Sequence, residues 1–184
     1  PSRETLDASI RKAADFLLKE QNRDGSWGNH TRTKGLNVLC PYPEGPRSFR
    51  TASTSLCVIG LLTSPLKEDP AVKASLDKAL QYLLTTLPTL KRGDTRTVLG
   101  VWGHAYGLSA LSRAARNLPA DAPLHKEQKK VASLQVKALD QMADVQGGWG
   151  YYTFETFSKR PIGEPTSFLT ATVLLAYKDA EQAF

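Results

Sequence analysis

Three stretches of this chain carry no charged side chain: residues 51–62, 98–112 and 166–177. A helix of that composition is buried on nearly every side, and none of the three reaches the roughly 20 residues of a membrane span. Each must be sheathed by protein, and what precedes each one can do the sheathing. Leu6, Ile10, Ala13 and Leu17 fall on one helical stripe, widened by Ala14, Leu18 and Phe16. Arg11, Lys12, Asp15 and Lys19 take the opposite side, with Arg11–Asp15 and Asp15–Lys19 spaced for i,i+4 pairs. Val72, Leu76, Ala79, Leu80 and Leu83 share an arc over residues 71–87, as do Val131, Leu134, Ala138, Leu139 and Met142 over 126–145. The β-branched content of 51–62 leaves a strand reading open there, but the threefold rhythm of charged-faced helix, loop and uncharged helix argues against it.

The repeats can be aligned. Lys12-Ala13-Ala14, Lys78-Ala79-Leu80 and Lys137-Ala138-Leu139 line up in the first helices, which places Gln21, Leu87 and Gln146 together. Ile59-Gly60-Leu61, Ser109-Ala110-Leu111 and Leu175-Ala176-Tyr177 line up in the second helices. A period of about fifty to sixty residues with one helical hairpin each marks a helical repeat array, with repeats at about 4–64, 70–118 and 126–184. The expected fold is all-α. Uncharged helices form its inner layer and amphipathic helices its outer layer, because only the latter have a face that water accepts. The 184 residues, 41% hydrophobic and 23% charged, suit one domain with a sizeable core.

Candidate site residues fall in the loops and at the starts of the inner helices. Residues 28–49 read as a long loop of the kind that is often functional, with His30, Arg32 and Lys34 placed to meet an acidic substrate. Arg50 opens an apolar helix, where a cation meets the positive end of the helix dipole. A fixed anion is therefore expected beside it, either a protein carboxylate such as Glu44 or a ligand. His104 stands in register with Thr54 and Thr170. These three would form a polar ring at one mouth of a cavity, with His104 as general base and Tyr106 close behind. The competing reading is a buried histidine bonded to a loop carbonyl, with threonines bonded to their own helix turns. Tyr151, Tyr152, Phe154 and Phe157 read either as an aromatic lining for a ligand or as loop anchors.

Bulk properties exclude several classes. The net charge of +6 tilts the chain mildly toward anionic partners, yet no basic run is dense enough for a nucleic-acid arm. Lys126, Lys129 and Lys130 read as a solvated helix face. Cys40 and Cys57 belong to no CxxC pair, so no metal site is expected, and their pairing is left open. No cofactor is implied. No signal-peptide pattern is visible, the first residue is Pro1, and an upstream segment of a longer chain is an expectation. The compartment is not legible.

The segment from Lys12 to Gly28 resembles the QW repeat of the squalene-cyclase and protein-prenyltransferase superfamily. Its basic residue, aromatic-Leu pair, Gln, and acidic-Gly-x-Trp are filled by Lys12, Phe16-Leu17, Gln21, Asp24-Gly25 and Trp27. Gln146-Gly147-Gly148-Trp149 is a shortened copy without the acidic residue. The middle unit, with Leu87 and only Trp102-Gly103 later, is a degenerate one. The resemblance implies part of an α/α toroid, in which Gln21 and Gln146 tie a helix end and Trp27 and Trp149 stack on the neighbouring unit. A whole toroid of that family has about twice as many hairpins, so a second copy, a further segment or a partner completes the ring, or the domain stays an open arc. The carboxylate clusters of the cyclases and the zinc ligands of the prenyltransferases have no counterpart, and the inner helices are expected to carry no carboxylate. The expected function is a repeat domain binding an apolar, isoprenoid-like ligand or a protein partner. One alternative is a lyase or hydrolase acting on an anionic polysaccharide through His104, Tyr106, Tyr152, Arg50 and Lys34. Another is a pure interaction module.

Overall fold

The computed structural model describes residues 2–29, 43–92, 99–153 and 160–184. Among these residues the chain is all-helical: α1 (Arg3–Glu20), α2 (Glu44–Thr63), α3 (Pro70–Thr86), α4 (Gly100–Ala115), α5 (Pro123–Met142) and α6 (Ser167–Ala183), with a short 3-10 turn at Leu87–Thr89. No helix is long and apolar enough to cross a membrane, and no group of three or more His, Cys, Asp or Glu side chains is gathered for a metal, both among the described residues. Lys34, Cys40, His30, Arg32, Phe154 and Phe157 lie outside the described residues. Cys57 is a free thiol, pushed up to about 11 by burial.

α2, α4 and α6 lie side by side in a row, α4 in the middle, and α3 and α5 pack behind them. The helix expected over 51–62 is longer than its uncharged core. It begins at Glu44, so the segment 44–49 assigned above to a loop is helical. Pro46 is tolerated there because an amide in the first helical turn has no intrahelical acceptor to lose. Its polar residues bond within the helix: Thr51 Oγ1 donates to the Arg47 carbonyl, Thr54 Oγ1 to Arg50 and Ser55 Oγ to Thr51, at 2.8–2.9 Å. α2 is buried on one side only. Thr51, Ser55, Val58 and Leu61 are sealed, while Phe49, Ser53, Leu56 and Gly60 face outward.

α4 is the helix buried on nearly every side. A side chain at Gly103 would sit 2.7 Å from Ser48 Oγ, and one at Gly107 would sit 2.4 Å from Leu87 Cδ2, so only glycine lets α2 and the 3-10 turn come this close. α6 runs on to Ala183 and so contains acidic residues, contrary to the expectation from its uncharged segment. Asp179, nearly sealed, accepts from Arg113 Nε at 2.9 Å and Arg116 Nη2 at 2.6 Å and rivets α6 to the end of α4.

α1 differs most from expectation. Only Ala14 of its stripe is buried, and Leu6 and Phe16 stand exposed, because the helix has neighbours on one side alone. Arg11 reaches past its own helix to Asp69, at 3.0 Å, instead of pairing with Asp15. Asp69 also caps α3 by accepting from the Ala71 amide, and these two donors hold its carboxyl below the usual range.

Candidate functional site

The glycine–tryptophan loops that end α1 and α5 are built alike. In the first, Trp27 Nε1 donates to the Leu17 carbonyl at 2.7 Å and the Trp27 amide donates to Thr54 Oγ1 at 2.9 Å. In the second, Trp149 Nε1 donates to Leu139 at 2.8 Å and its amide to Thr170 Oγ1 at 3.0 Å. Each indole is buried and fastens an outer helix to the inner helix of the same hairpin. The clamp lies within the unit, and each indole also belongs to an apolar cluster with residues of the neighbouring unit, Leu76 and Ala79 of α3 for Trp27 and Val101 and Leu108 of α4 for Trp149. Thr54 and Thr170 are parts of that clamp, so they do not form a polar ring with His104.

The link between units runs through Gln21. Its Nε2 donates to the Gly25 and Ser75 carbonyls and its Oε1 accepts from Ser75 Oγ, all at 2.9 Å, which joins the loop to α3. Gln146 has no such role. Matching hydrogen bonds pair Asn22 with Asp144 and Trp27 with Trp149, so Ala143 stands where Gln21 does, and Gln146, exposed, takes the place of Asp24. Gly148, at φ +78, takes the place of Ser26. Asp144 fastens this second loop instead, accepting from the amides of Gln146 and Gly163.

Arg50 has found its anion, which is Asp24 and not Glu44. Its Nη2 donates to both carboxylate oxygens at 2.9 and 3.1 Å, and its guanidinium lies 5.6 Å from the Tyr82 ring centre. Burial alone would raise Asp24, but hydrogen bonds from Ser26 and the Arg50 charge outweigh it and hold the carboxyl below its usual range. Glu44 instead pairs with Arg47 at 3.6 Å.

His104 and Tyr106 point to different sides of α4, since residues two apart on a helix diverge by about 160°. His104 faces α5, where its Nδ1 lies 2.7 Å from Gln135 Oε1. Gln135 Nε2 donates to the Val131 carbonyl, which leaves its oxygen for the imidazole, so Nδ1 carries the proton. Nε2 keeps its lone pair, without a hydrogen-bond partner among the described residues, at the wall of a pocket of about 460 Å3 shared with Lys91, Arg92 and Gln141. Burial lowers His104 below the ordinary 6.5, against the opposing pull of Gln135. The unfolded chain then binds this proton more readily than the folded one, so stability falls as pH drops through 6.5 and keeps falling until the folded-state value is passed. Melting temperatures taken between about pH 8 and pH 5 should show this decline, and His104→Leu should flatten part of it. An identical slope in that variant would show that His104 is not its source.

Tyr106 lies on the free face of the row, the face that α3 and α5 leave uncovered. It stacks on Trp102 at 5.4 Å and 14°. Trp102 in turn stacks on Phe168 of α6 at 5.7 Å, with Tyr151 5.7 Å from Phe168 and 6.0 Å from Trp102, and Tyr152 6.3 Å beyond. Phe168 remains 52% exposed and Tyr152 40%. Burial, with the Tyr106 and Tyr152 phenols close by, raises the Tyr151 hydroxyl above its usual value, so it stays neutral at physiological pH. The structure thus gathers Tyr106, Tyr151 and Tyr152 and leaves His104 and Arg50 in separate places. Trp102 and Phe168, absent from the sequence-derived site, are the centre of this cluster. The Trp102–Tyr106 spacing of one helical turn in an uncharged segment was the available signal. No family model matches the sequence, and no solved structure matches the fold.

Proposed function

We propose that this chain is a hairpin-repeat domain, part of an α/α toroid of the squalene-cyclase and prenyltransferase type, that binds an apolar, isoprenoid-like molecule against the free face of its inner helices. The observation that carries the reading is the plate formed by Trp102, Tyr106, Tyr151 and Phe168, which spans two inner helices and contains no charge. Wide aromatic faces left partly bare suit a ligand that offers hydrocarbon and needs no counter-ion.

The test uses tryptophan emission and mass spectrometry. Trp27 and Trp149 are buried and Trp102 is half-buried, so a ligand on the plate should shift the emission of Trp102 alone. Titration with farnesol or squalene should move the spectrum, and lipid retained after incubation and gel filtration should be identifiable. Trp102→Ala should weaken retention by about tenfold or more, equivalent to ~1.4 kcal/mol of lost contact. No retained lipid and an unmoved spectrum would overturn the reading.

A further inference from the structure

The inner row uses one seam twice. Thr51, Ser55 and Val58 of α2 are fully buried beside α4, and at the head of that seam Ser48 Oγ reaches the Leu99 and Gly100 carbonyls at 3.4 and 3.3 Å. The register that aligns Ile59-Gly60-Leu61 with Ser109-Ala110-Leu111 converts these positions to Val101, Ala105 and Leu108 of α4. They too are fully buried, clustered with Leu169, Val173 and Ala176 of α6. One more step of the register gives Ser167, Ala171 and Leu174. All three are exposed, Leu174 by 57%, with Leu175 beside it at 65%.

The receiving side shows the same discontinuity. α4 receives α2 at Gly103, whose would-be Cβ stands 2.7 Å from Ser48 Oγ; on the same stripe Gly107 meets Leu87 of the 3-10 turn, and Ala110 is buried too. The matching positions on α2 are Ser53, Cys57 and Gly60. Ser53 and Gly60 are exposed, and a Cβ on Gly60 would meet nothing within 4 Å. Beside them, between α1 and α2, runs an apolar groove of about 350 Å3 lined by Ile10, Ala13, Leu17, Gly60, Thr63 and Ser64. The seam places Ser48 against Gly103. Carried to the ends of the row, the same offset sets Ala171 opposite Gly60 and Leu174 opposite Thr63, at that groove.

We propose that α6 of one copy of this chain docks along α2 of a second copy, continuing the inner seam head to tail. Three observations select a second copy as the occupant. The contact prolongs an interface that the chain already makes twice. The receiving edge is present on the same chain, and no described residue covers Gly60. The facing positions Ser167, Ala171, Leu174, Ser53, Cys57 and Gly60 carry no charge that docking would have to desolvate; the register equivalent of Ser48 is Glu164, exposed ahead of α6, and Lys178 at the far end is paired with Glu181 at 3.0 Å. Such a contact joins unlike surfaces, so it closes into a ring or runs on as a filament according to its rotation.

Sedimentation of the 184-residue chain over a range of concentrations should give masses above the 20.2 kDa monomer. Leu174→Glu, at a site exposed in the single copy, should leave helical circular dichroism unchanged and return the chain to 20.2 kDa. In a Cys40→Ser, Cys57→Ser background, mild oxidation of the Gly60→Cys, Ala171→Cys double variant should produce disulfide-linked oligomers that neither single variant forms. A wild-type chain that stays monomeric, a Leu174→Glu variant that assembles as before, or a double variant that never cross-links would each overturn the proposal. Lipid retention by Leu174→Glu should match the wild type, so the fate of this interface is read separately from that of the aromatic plate.

Discussion

Trp149→Ala should destabilise the chain by about 3–5 kcal/mol, and Trp27→Ala by a similar amount. A domain of this size is commonly stable by only ~5–15 kcal/mol, so either change removes a large share of the total. The loss has two parts. The indole fills the junction of outer and inner helix, and its ring alone accounts for most of the effect. Its Nε1–H also satisfies a carbonyl near the end of the outer helix, Leu17 in one hairpin and Leu139 in the other, and removing the donor strands that oxygen. Trp149→Phe separates the parts: it keeps ring area, loses the donor, and should cost about 1–2 kcal/mol. Urea unfolding followed by circular dichroism measures all three variants. A loss below ~1 kcal/mol in both alanine variants would show that the clamp does not hold the hairpins.

Gly25→Ala is the second large effect, and Gly147→Ala is its internal control. The two glycines occupy the same place in the two loops, at φ +86 and +92. A left-handed backbone costs a non-glycine residue about 1–2 kcal/mol, and Gly147→Ala should show that cost alone, because nothing lies within 4 Å of its would-be Cβ. At Gly25 the added carbon would stand 2.3 Å from the Lys78 carbonyl oxygen and 2.6 Å from its carbon, both backbone atoms of α3. The loop must then retreat from α3 and give up the Gln21–Ser75 bonds that join the first two hairpins. The expected loss is at least about 2 kcal/mol beyond that of Gly147→Ala, measured in the same urea series. Equal losses would mean that the close approach to α3 does not constrain the fold.

The same two loops explain where the sequence misleads. A Lys-Ala pattern on an amphipathic helix can slide by one turn and still present its apolar face. The match of Lys12 with Lys137 therefore set the outer helices three residues off and paired Gln21 with Gln146. The hydrogen bonds of Trp27 and Trp149 restore the register, because a loop with left-handed glycines admits no such slide. The inner helices were aligned by small residues that must meet a neighbour, and Thr54 and Thr170 keep matching roles. Arg50 was marked correctly as needing an anion. Its partner Asp24 lies 26 residues away, and only folding brings the two together.

Charge-free segments between amphipathic ones, with Gly-Trp loops at the helix ends, were enough to determine an all-helical chain, but of the three helices that contain them only α4 lies deep, because α2 and α6 stand at the ends of the row. The tertiary structure alone decided which way each side chain on a deep helix points. On α4 it sends His104 toward Gln135 and α5, and Tyr106 out to Trp102 and Phe168. A helix buried on nearly every side has no polar stripe to reveal its orientation, so its facing is set by the neighbours it meets and not by its own composition.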